Sequence, residues 1–425
     1  MNPTLKAIEE NGMIFISAQP DETYFHWQVE LYLYQFSIHG IIDKCYAVFC
    51  HKGNEPSEPV KEMMKRYKNI VCYKDERPSQ PLYKPMVRPY VLKKFFNDYP
   101  KLGKSVFYHD SDIFLVKLPK FELLLGPENS SGYVSDTVNY IGYNYLKTCS
   151  ARYKEKHVNL QEDDLFIKMC DLMNMSPEMV KERDATSGGA QYLLKNIDCE
   201  YWERVEASTE KLFNFFKAYE KEHPIAHHVQ SWATDMWTVL WEYWRTGNTT
   251  IVHDELKFSW ATDNVANYFK QNIFHLAGVN ANMSADKFYK GAYHSKNVFK
   301  EYLRNPAIFN NISPMNATYE YVSVLKRYAD TLKKEPEVFR FSLEIANKPW
   351  ASVYRKDDKR FFGRPLWRSL DGKYSIFFNK TSWILTSTQY ESEFSEKCGG
   401  FASNTGGEPY DSGWNIPEIK AVALL

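Results

Sequence analysis

Two aspartates, Asp110 and Asp112, lie two residues apart and closely follow a short apolar segment at residues 106–108. Carboxylates with this spacing at the end of a strand can turn toward one hard divalent cation, either directly or through water. Such a cation stabilises a diphosphate as it departs from a breaking bond. A solvated acidic turn is the alternative, because Asp-x-Asp arises by chance in many proteins. The position after a predicted strand favours the metal site.

A histidine, His275, ends another apolar segment, and Gly278 follows it. An imidazole at a strand end can complete a metal site, and a glycine permits close approach of a ligand to the backbone. Taken alone, a core histidine bonded to a carbonyl is the commoner case, but together with Asp110 and Asp112 we favour a metal ligand. Further along the chain, Lys290 or the nearby aromatics Phe288 and Tyr289 are predicted to contact the diphosphate.

A glycine pair, Gly188 and Gly189, precedes the apolar segment that starts at Gln191. Tandem glycines beside a strand let the backbone lie against a ligand such as a sugar ring, although a plain tight turn explains them equally well. They lack the spacing of a Walker or dinucleotide fingerprint. We assign the two glycines to ligand binding and Gln191 to catalysis.

Asp235 lies at the edge of an apolar helical face that runs from residue 232 to residue 244. That face comprises Trp232, Met236, Val239, Leu240 and Tyr243. A carboxylate at such an edge is either paired structurally or faces a pocket, where it can orient an acceptor or stabilise developing positive charge. The two interpretations are evenly balanced, and Asp235 is the second catalytic candidate.

Two cations, Lys84 and Arg88, precede a predicted helix that starts near Pro89. Cations close to a helix N-terminus suit an anionic diphosphate. Plain surface cations are the commoner explanation of such a pair. We assign both residues, together with Ser111, to binding of the phosphate-bearing ligand.

The elements that must position these residues alternate between strand and helix along the first third of the chain. The predicted strands are residues 13–17, 45–49, 70–73 and 105–108, and predicted helices begin near Asp21, Pro56 and Pro89. This alternation predicts an α/β fold with a mostly parallel sheet flanked by helices. Such sheets bind ligands at the carboxyl ends of their strands, where Asp110 lies.

The chain has 425 residues, which is too long for one ordinary core. We predict a catalytic domain over residues 1–314, a charged helical connector over 315–340 and a small β-rich domain over 341–425. Lysine plus arginine and aspartate plus glutamate number 53 each. This balance disfavours a dedicated duplex-DNA binder, which would normally carry a basic excess.

The seven cysteines are scattered and odd in number, which is typical of reduced thiols in a cytosolic chain. The first residues contain no apolar segment of the kind found in a signal peptide. The sequence also lacks the run of about 18 apolar residues that a membrane-spanning helix requires. We therefore expect a cytoplasmic protein.

The order of these motifs resembles that of GT-A-fold glycosyltransferases related to hydroxyproline O-arabinosyltransferases and peptidyl serine galactosyltransferases. The similarity covers about residues 10–295 and rests on motif order. The motifs are Met13–Ser17, Tyr83–Pro85, His109–Asp112, Ser187–Gly189, Trp232–Trp237 and His275–Gly278. The resemblance implies a GT-A-like fold, a nucleotide-sugar donor that is usually a UDP-sugar, and Mn²⁺ or Mg²⁺ as cofactor.

The resemblance also implies roles for individual residues. Asp110 and Asp112 fall on the metal-binding Asp-x-Asp of the family, and His275 falls on its late metal-ligating histidine. Lys84 matches the lysine before proline in a donor-side motif, and Asp235 loosely matches an acidic helix that faces the sugar. Related enzymes mostly retain the anomeric configuration, and we extend this to the present chain as an expectation.

Enzymes of this family are usually secretory and membrane-anchored, whereas this sequence shows neither feature, so the acceptor need not be a secreted protein. A hydroxyl group on a protein, a glycan or a modified DNA base fits equally well. The main alternative is a non-catalytic protein that binds glycans through residues 341–425. A nucleotidyltransferase ranks lower, because its triphosphate usually requires a loop richer in glycine or in lysine and arginine.

Overall fold

The computed structural model describes residues 2–78, 83–126, 129–332, 338–343, 350, 352–405, 409, 414–415 and 419–424. They belong to two compact units, Met1–Thr331 and Leu332–Leu425. The division falls inside the segment 315–340, predicted as a connector, because the helix Ala317–Thr331 packs against other helices of the first unit. All residues predicted to form the site lie in the first unit.

The first unit has ten strands within the described residues, and the first four of them begin where the sequence predicts and end one to three residues later than predicted. The ten strands are β1 (Met13–Pro20), β2 (Cys45–His51), β3 (Ile70–Lys74), β4 (Ser105–His109), β5 (Ile113–Leu115), β6 (Gly132–Val134), β7 (Gln191–Lys195), β8 (Thr250–Val252), β9 (Phe258–Trp260) and β10 (Ile273–His275).

The helices of the first unit lie between and after these strands. They are α1 (Pro3–Glu10), α2 (Thr23–Ile38), α3 (Glu58–Arg66), α4 (Val87–Asp98), α5 (Val138–Ile141), α6 (Tyr143–Lys156), α7 (Asp164–Met173), α8 (Pro177–Glu182), α9 (Cys199–Glu222), α10 (Thr234–Arg245), α11 (Val265–Lys270), α12 (Val298–Arg304) and α13 (Ala317–Thr331).

The main sheet contains seven strands within the described residues, in the order β3-β2-β1-β4-β7-β6-β8. Strands β1 to β4 pair in parallel, β7 is antiparallel to both of its neighbours, and β8 is parallel to β6. Helices α2 and α4 pack on the sheet, and α9 packs on α4 and α10. The predicted α/β class, with a mostly parallel sheet flanked by helices, is confirmed.

The centre of this sheet is buried on both faces. Every residue of β4 is buried, and in β1 only Pro20 is partly exposed. Continuous apolar runs are typical of strands that are covered on both sides. Aromatic side chains fill the space under the helices, and the fully buried ones include Trp202, Trp237, Trp241 and Trp244. Much of the aromatic content of the chain is therefore core.

A second, smaller sheet forms the corner at which the two aspartates lie. Its described strands run in the order β5-β10-β9, and β5 pairs antiparallel with β10, so that Ile113 lies opposite His275. Residues 110–112 connect β4 of the main sheet to β5 of this one. The backbone N–H of Leu276 donates to the carbonyl oxygen of Asp112 at 2.9 Å. This pairing brings the imidazole beside the carboxylates.

The second unit is a β domain, as predicted. Its described strands are β11 (Val338–Leu343), β12 (Val353–Phe361), β13 (Arg364–Ser369), β14 (Tyr374–Phe378), β15 (Trp383–Ser387), β16 (Ala402–Asn404) and β17 (Ile419–Leu424). They form an antiparallel sheet in the order β16-β15-β14-β13-β12-β11-β17. Its core contains Trp350, Trp367, Trp383 and Trp414. These tryptophans are therefore not an exposed surface for glycan stacking.

The seven cysteines are all free in the structure. Within the part of the chain that the structure describes, helices that are both long and apolar enough to span a bilayer are absent.

Candidate active site and metal centre

The three predicted metal ligands, Asp110, Asp112 and His275, come together in the structure. One potential ligand atom of each lies within 4.8 Å of those of the other two. Nε2 of His275 is 3.6 Å from Oδ2 of Asp110 and 3.3 Å from Oδ1 of Asp112. Carboxylates suit hard cations such as Mn²⁺ and Mg²⁺, and an imidazole nitrogen is a better ligand for the transition metal. The donor set therefore fits a divalent cation.

Arg88 connects Asp110 to Asp235. Its Nη1 lies 2.8 Å from Oδ1 of Asp110 and 3.0 Å from Oδ2 of Asp235. The hydroxyl of Tyr83 donates to Oδ1 of Asp235 at 2.6 Å. Burial raises the pKa of Asp235, and the guanidinium of Arg88 opposes that rise. Asp235 thus contacts Arg88, and Arg88 in turn contacts Asp110, which is the first predicted metal ligand.

The ammonium group of Lys290 pairs with the carboxylate of Asp112. Burial alone would lower the pKa of Lys290, but Asp112 raises it above its usual value. Burial also opposes ionisation of Asp112, yet Lys290 and His275 hold the pKa of this carboxyl group far below its usual range. Lys290 therefore occupies a carboxylate that a divalent cation would also bind.

Gln191 contacts His275 on the edge of the ring that faces away from the aspartates. Nε2 of Gln191 is 3.4 Å from Nδ1 of His275, and Oε1 accepts a hydrogen bond from the hydroxyl of Ser135 at 2.6 Å. The same Ser135 hydroxyl lies 2.8 Å from the carbonyl oxygen of Leu256. The three side chains are buried. Gln191 is thus packed against a predicted metal ligand.

A cavity of about 260 Å³ adjoins this cluster, and we call it the cation cavity. Its lining contains Asp110, Asp112, His275, Arg88, Ser111 and Lys290, together with Tyr24, Phe25, Gln28, Thr137, Tyr140, Ala190, Trp232, Met236, Trp260 and Ala277. Trp260 stacks on His275 with the ring centroids 5.8 Å apart. Among the described residues, the lining includes neither Gln191 nor Asp235. Both reach the cavity through a residue that they contact.

Thr137 lines this cavity, and its buried hydroxyl is unsatisfied. The residue is 3% exposed, and its Oγ1 has no hydrogen-bond partner among the described residues. Leaving a buried hydroxyl without a partner costs about 1–3 kcal/mol. An orphaned polar atom in a cavity wall points to a ligand that supplies the missing hydrogen bond.

Lys84 lies outside the cation cavity. It is exposed and lines another cavity, of about 160 Å³, whose cations also include Lys52 and Arg77. Val87 lines that cavity whereas Arg88 lines the first, so the first turn of α4 separates the two. A contact between Lys84 and a bound diphosphate remains a prediction, and it requires a ligand that extends past this turn.

The three predicted glycines allow the backbone around the cation cavity to adopt its packing and conformation. A Cβ atom on Gly188 would lie 2.2 Å from the carbonyl oxygen of Ser135, and one on Gly189 would lie 2.3 Å from the hydroxyl oxygen of Tyr192. Both glycines therefore allow close packing behind the site. Gly278 has a φ of +94°, a conformation that favours glycine. None of these three glycines is among the described residues that line the cation cavity.

Sequence reasoning misses several residues at the cavity. Ala190 has a φ of +69°, and the glycine pair before it is the one local signal of an unusual turn there. Thr137 and Trp260 carry no sequence signal, because long-range packing alone brings them to the site. The sequence also places Trp232 on an apolar helical face, which is wrong. This residue precedes α10 and is 62% exposed, because the helix begins only at Thr234.

Comparisons with known proteins find no matching protein-family model and no matching curated protein. Several solved structures match, all with TM-scores below 0.5. The WbbM bifunctional glycosyltransferase is 12% identical, with 63% of this chain and 46% of that chain covered and a TM-score of 0.33. Mouse xyloside xylosyltransferase 1 is 10% identical, with 64% of this chain and 98% of that chain covered and a TM-score of 0.30. The galactosyltransferase LgtC was solved in complex with donor and acceptor sugar analogues. It is 12% identical, with 66% of this chain and 94% of that chain covered and a TM-score of 0.31. The chain thus spans about half the length of the first of these proteins, and the functional inference rests on the geometry of the site.

Proposed function

We propose that the chain is a metal-dependent glycosyltransferase that moves a sugar from a nucleoside diphosphate to a hydroxyl acceptor. The observation that carries this proposal is the convergence of Asp110, Asp112 and His275 on the wall of one cavity. The three residues come from two distant parts of the chain, and a solvated acidic turn has no need of a buried imidazole. A UDP-linked donor follows from the resemblance in motif order, and Mn²⁺ follows from the mixed oxygen and nitrogen ligands.

The other groups of the cavity suit the remaining parts of a nucleotide sugar. A divalent cation held by the three ligands would supply positive charge to the departing diphosphate. Arg88 and Lys290 line the same cavity and provide cationic groups for phosphate oxygens. Ser111 and the orphaned hydroxyl of Thr137 offer hydrogen bonds to the donor. These contacts orient the donor with its anomeric carbon open to the acceptor.

The transfer balances without a further reactant. The oxygen of the acceptor hydroxyl bonds to the anomeric carbon, and the bond between that carbon and the phosphate oxygen breaks. The electron pair of the broken bond leaves on the nucleoside diphosphate, and the hydroxyl proton leaves with it. Retention of the anomeric configuration, membership in the arabinosyltransferase-like family and a cytoplasmic location remain predictions from the sequence.

Asp235 and Gln191 act in this proposal as positioning residues. Asp235 contacts Arg88, and Gln191 contacts His275. Each thereby fixes the direction of a group that lines the cavity. The sequence predicts a direct catalytic role for these two residues. In this proposal each acts instead through a neighbouring residue, and experiments on variants can distinguish the two cases.

Calorimetry with UDP- and GDP-sugars, in the presence and absence of Mn²⁺, tests the proposal, together with an assay of donor hydrolysis. We expect binding of a UDP-sugar that requires Mn²⁺. Asp110→Asn and Asp112→Asn should each weaken Mn²⁺ binding by about 10- to 100-fold and abolish hydrolysis. Asp43→Asn is the matched control, because this aspartate pairs with Lys68 at the surface. Full activity of both site variants, or flat titrations with every donor, would show that the proposal is wrong.

A further inference from the structure

A second cavity of the first unit adjoins the cation cavity, and Trp232 lines both. This second space, which we call the side cavity, measures about 590 Å³. Its walls come from α6, from α9 and from residues 226–232, which precede α10. The predicted metal and phosphate ligands lie outside its described lining. A ligand that passes Trp232 can therefore extend from one cavity into the other.

Trp232 is held in place although its side chain is exposed. The residue is 62% exposed, whereas its neighbours Ser231 and Ala233 are buried. The hydroxyl oxygen of Tyr83 lies 2.6 Å from the carbonyl oxygen of Trp232. The apolar face of a sugar ring can pack on an exposed indole, because the contact removes apolar surface of both groups from water. The indole is thus suited to hold a sugar at the junction of the two cavities.

The side cavity carries a surplus of positive charge. Its described lining contains two cationic residues, Arg152 and Lys217, and one acidic residue, Glu220, which pairs with Lys217 at 2.8 Å. No described carboxylate lies within ion-pair distance of Arg152, whose Nη2 contacts the sulfur of Cys149 and whose Nε has no hydrogen-bond partner. The charge of this guanidinium is left for a ligand, and a carboxylate or phosphate matches its geometry.

Gln230 adds a neutral polar group next to the indole. Its backbone N–H donates to the hydroxyl oxygen of Tyr145 at 3.0 Å, so the residue is anchored. The side-chain Oε1 is buried and has no hydrogen-bond partner among the described residues. A ligand hydroxyl that reached this oxygen would remove the cost of leaving it unsatisfied.

We propose that the side cavity is the acceptor subsite and that the acceptor is an anionic oligosaccharide. One sugar ring stacks on Trp232 with its reacting hydroxyl toward the cation cavity. The carboxylate or phosphate of an adjacent sugar pairs with Arg152. This assignment rests on the proposed function, because an acceptor is meaningful only beside a donor. The acceptor oxygen replaces the diphosphate at the anomeric carbon, and the hydroxyl proton leaves with the diphosphate.

The test is calorimetry of the full chain with three defined sugars at one ionic strength, since salt screens charge contacts. Tetragalacturonic acid supplies carboxylates, maltotetraose that carries a 6-phosphate supplies a phosphate, and unmodified maltotetraose is neutral. We expect one of the two anionic sugars to bind about tenfold more tightly than maltotetraose, which identifies the anion. Equal affinity for the anionic and neutral sugars would overturn the assignment of Arg152.

Variants locate the binding. Trp232→Ala and Arg152→Gln should each weaken binding of the preferred sugar by about tenfold, and Arg152→Lys should weaken it less. Lys211→Gln is the control, because Lys211 is exposed on α9 outside the side cavity. Unchanged binding by the Trp232→Ala variant would contradict the subsite. Titration of the same preparation with UDP-sugar and Mn²⁺ separates the two proposals. Donor binding without oligosaccharide binding rejects the subsite alone, and loss of both rejects the proposed function.

Discussion

Gln191 approaches His275 from the side of the ring opposite the two aspartates, with its Nε2 3.4 Å from Nδ1. The Ser135 hydroxyl has one proton but faces two acceptors, Oε1 of Gln191 and the carbonyl oxygen of Leu256. Turning the Gln191 amide by 180° satisfies every group. The amide N–H then donates to Ser135, the Ser135 hydroxyl donates to Leu256, and Nδ1–H of His275 donates to Oε1. This arrangement leaves Nε2 unprotonated and directed at the aspartates.

We therefore predict that neutral His275 carries its proton on Nδ1 even without metal, since a fixed tautomer prepares the ligand. Nitrogen-15 NMR of the imidazole reports the tautomer directly. Gln191→Ala should produce a mixture of tautomers and weaken Mn²⁺ binding by about tenfold or more. Gln191→Glu, which keeps an acceptor for Nδ1–H, should preserve the tautomer. An unchanged spectrum and unchanged Mn²⁺ affinity in Gln191→Ala would show that the contact is only packing.

The chain of contacts from Asp235 through Arg88 to Asp110 predicts coupling between the first two residues. If Asp235 acts by fixing Arg88, removing both groups should cost little more than removing Arg88 alone. A cycle of Arg88→Met, Asp235→Asn and the double variant should therefore give a coupling of about 0.5–3 kcal/mol in kcat/KM for donor hydrolysis. Additive effects in this cycle would instead indicate that Asp235 contacts the substrate directly.

The ion pair between Lys290 and Asp112 predicts that removing the lysine has opposite effects on metal binding and on turnover. Its ammonium group competes with a cation for Asp112, so Lys290→Met should tighten Mn²⁺ binding about tenfold in the absence of nucleotide. Turnover should fall, because a cationic group that suits the diphosphate is lost. Lys287→Met is the matched control, since Lys287 pairs with Asp286 and lies outside the described lining of the cation cavity. Weaker Mn²⁺ binding in Lys290→Met would contradict the competition.

Local patterns predict the strands and the carboxylate pair, because both depend on residues that are adjacent in sequence. Asp110 follows a buried strand, and its place at the end of β4 is visible from the apolar run alone. The roles of Asp235 and Gln191 depend on their contacts with Arg88 and His275, which are far apart in sequence. Helical periodicity places Asp235 near a pocket. It does not distinguish a residue that lines the cavity from one that lies behind a lining residue.

Thr137 provides a prediction in which stability and activity change in opposite directions. Its buried Oγ1 has no hydrogen-bond partner among the described residues, so Thr137→Val removes a desolvated polar group while keeping the shape of the side chain. The free energy of unfolding of the ligand-free protein should stay equal or rise by about 1 kcal/mol, as measured by urea titration. Affinity for the donor sugar should fall about tenfold in calorimetry, because the missing hydrogen bond is made only with ligand. Thr137→Ser keeps the hydroxyl and should retain most of the affinity. A valine variant that is destabilised by more than about 1 kcal/mol and binds the donor normally would assign the hydroxyl to the fold instead of the ligand.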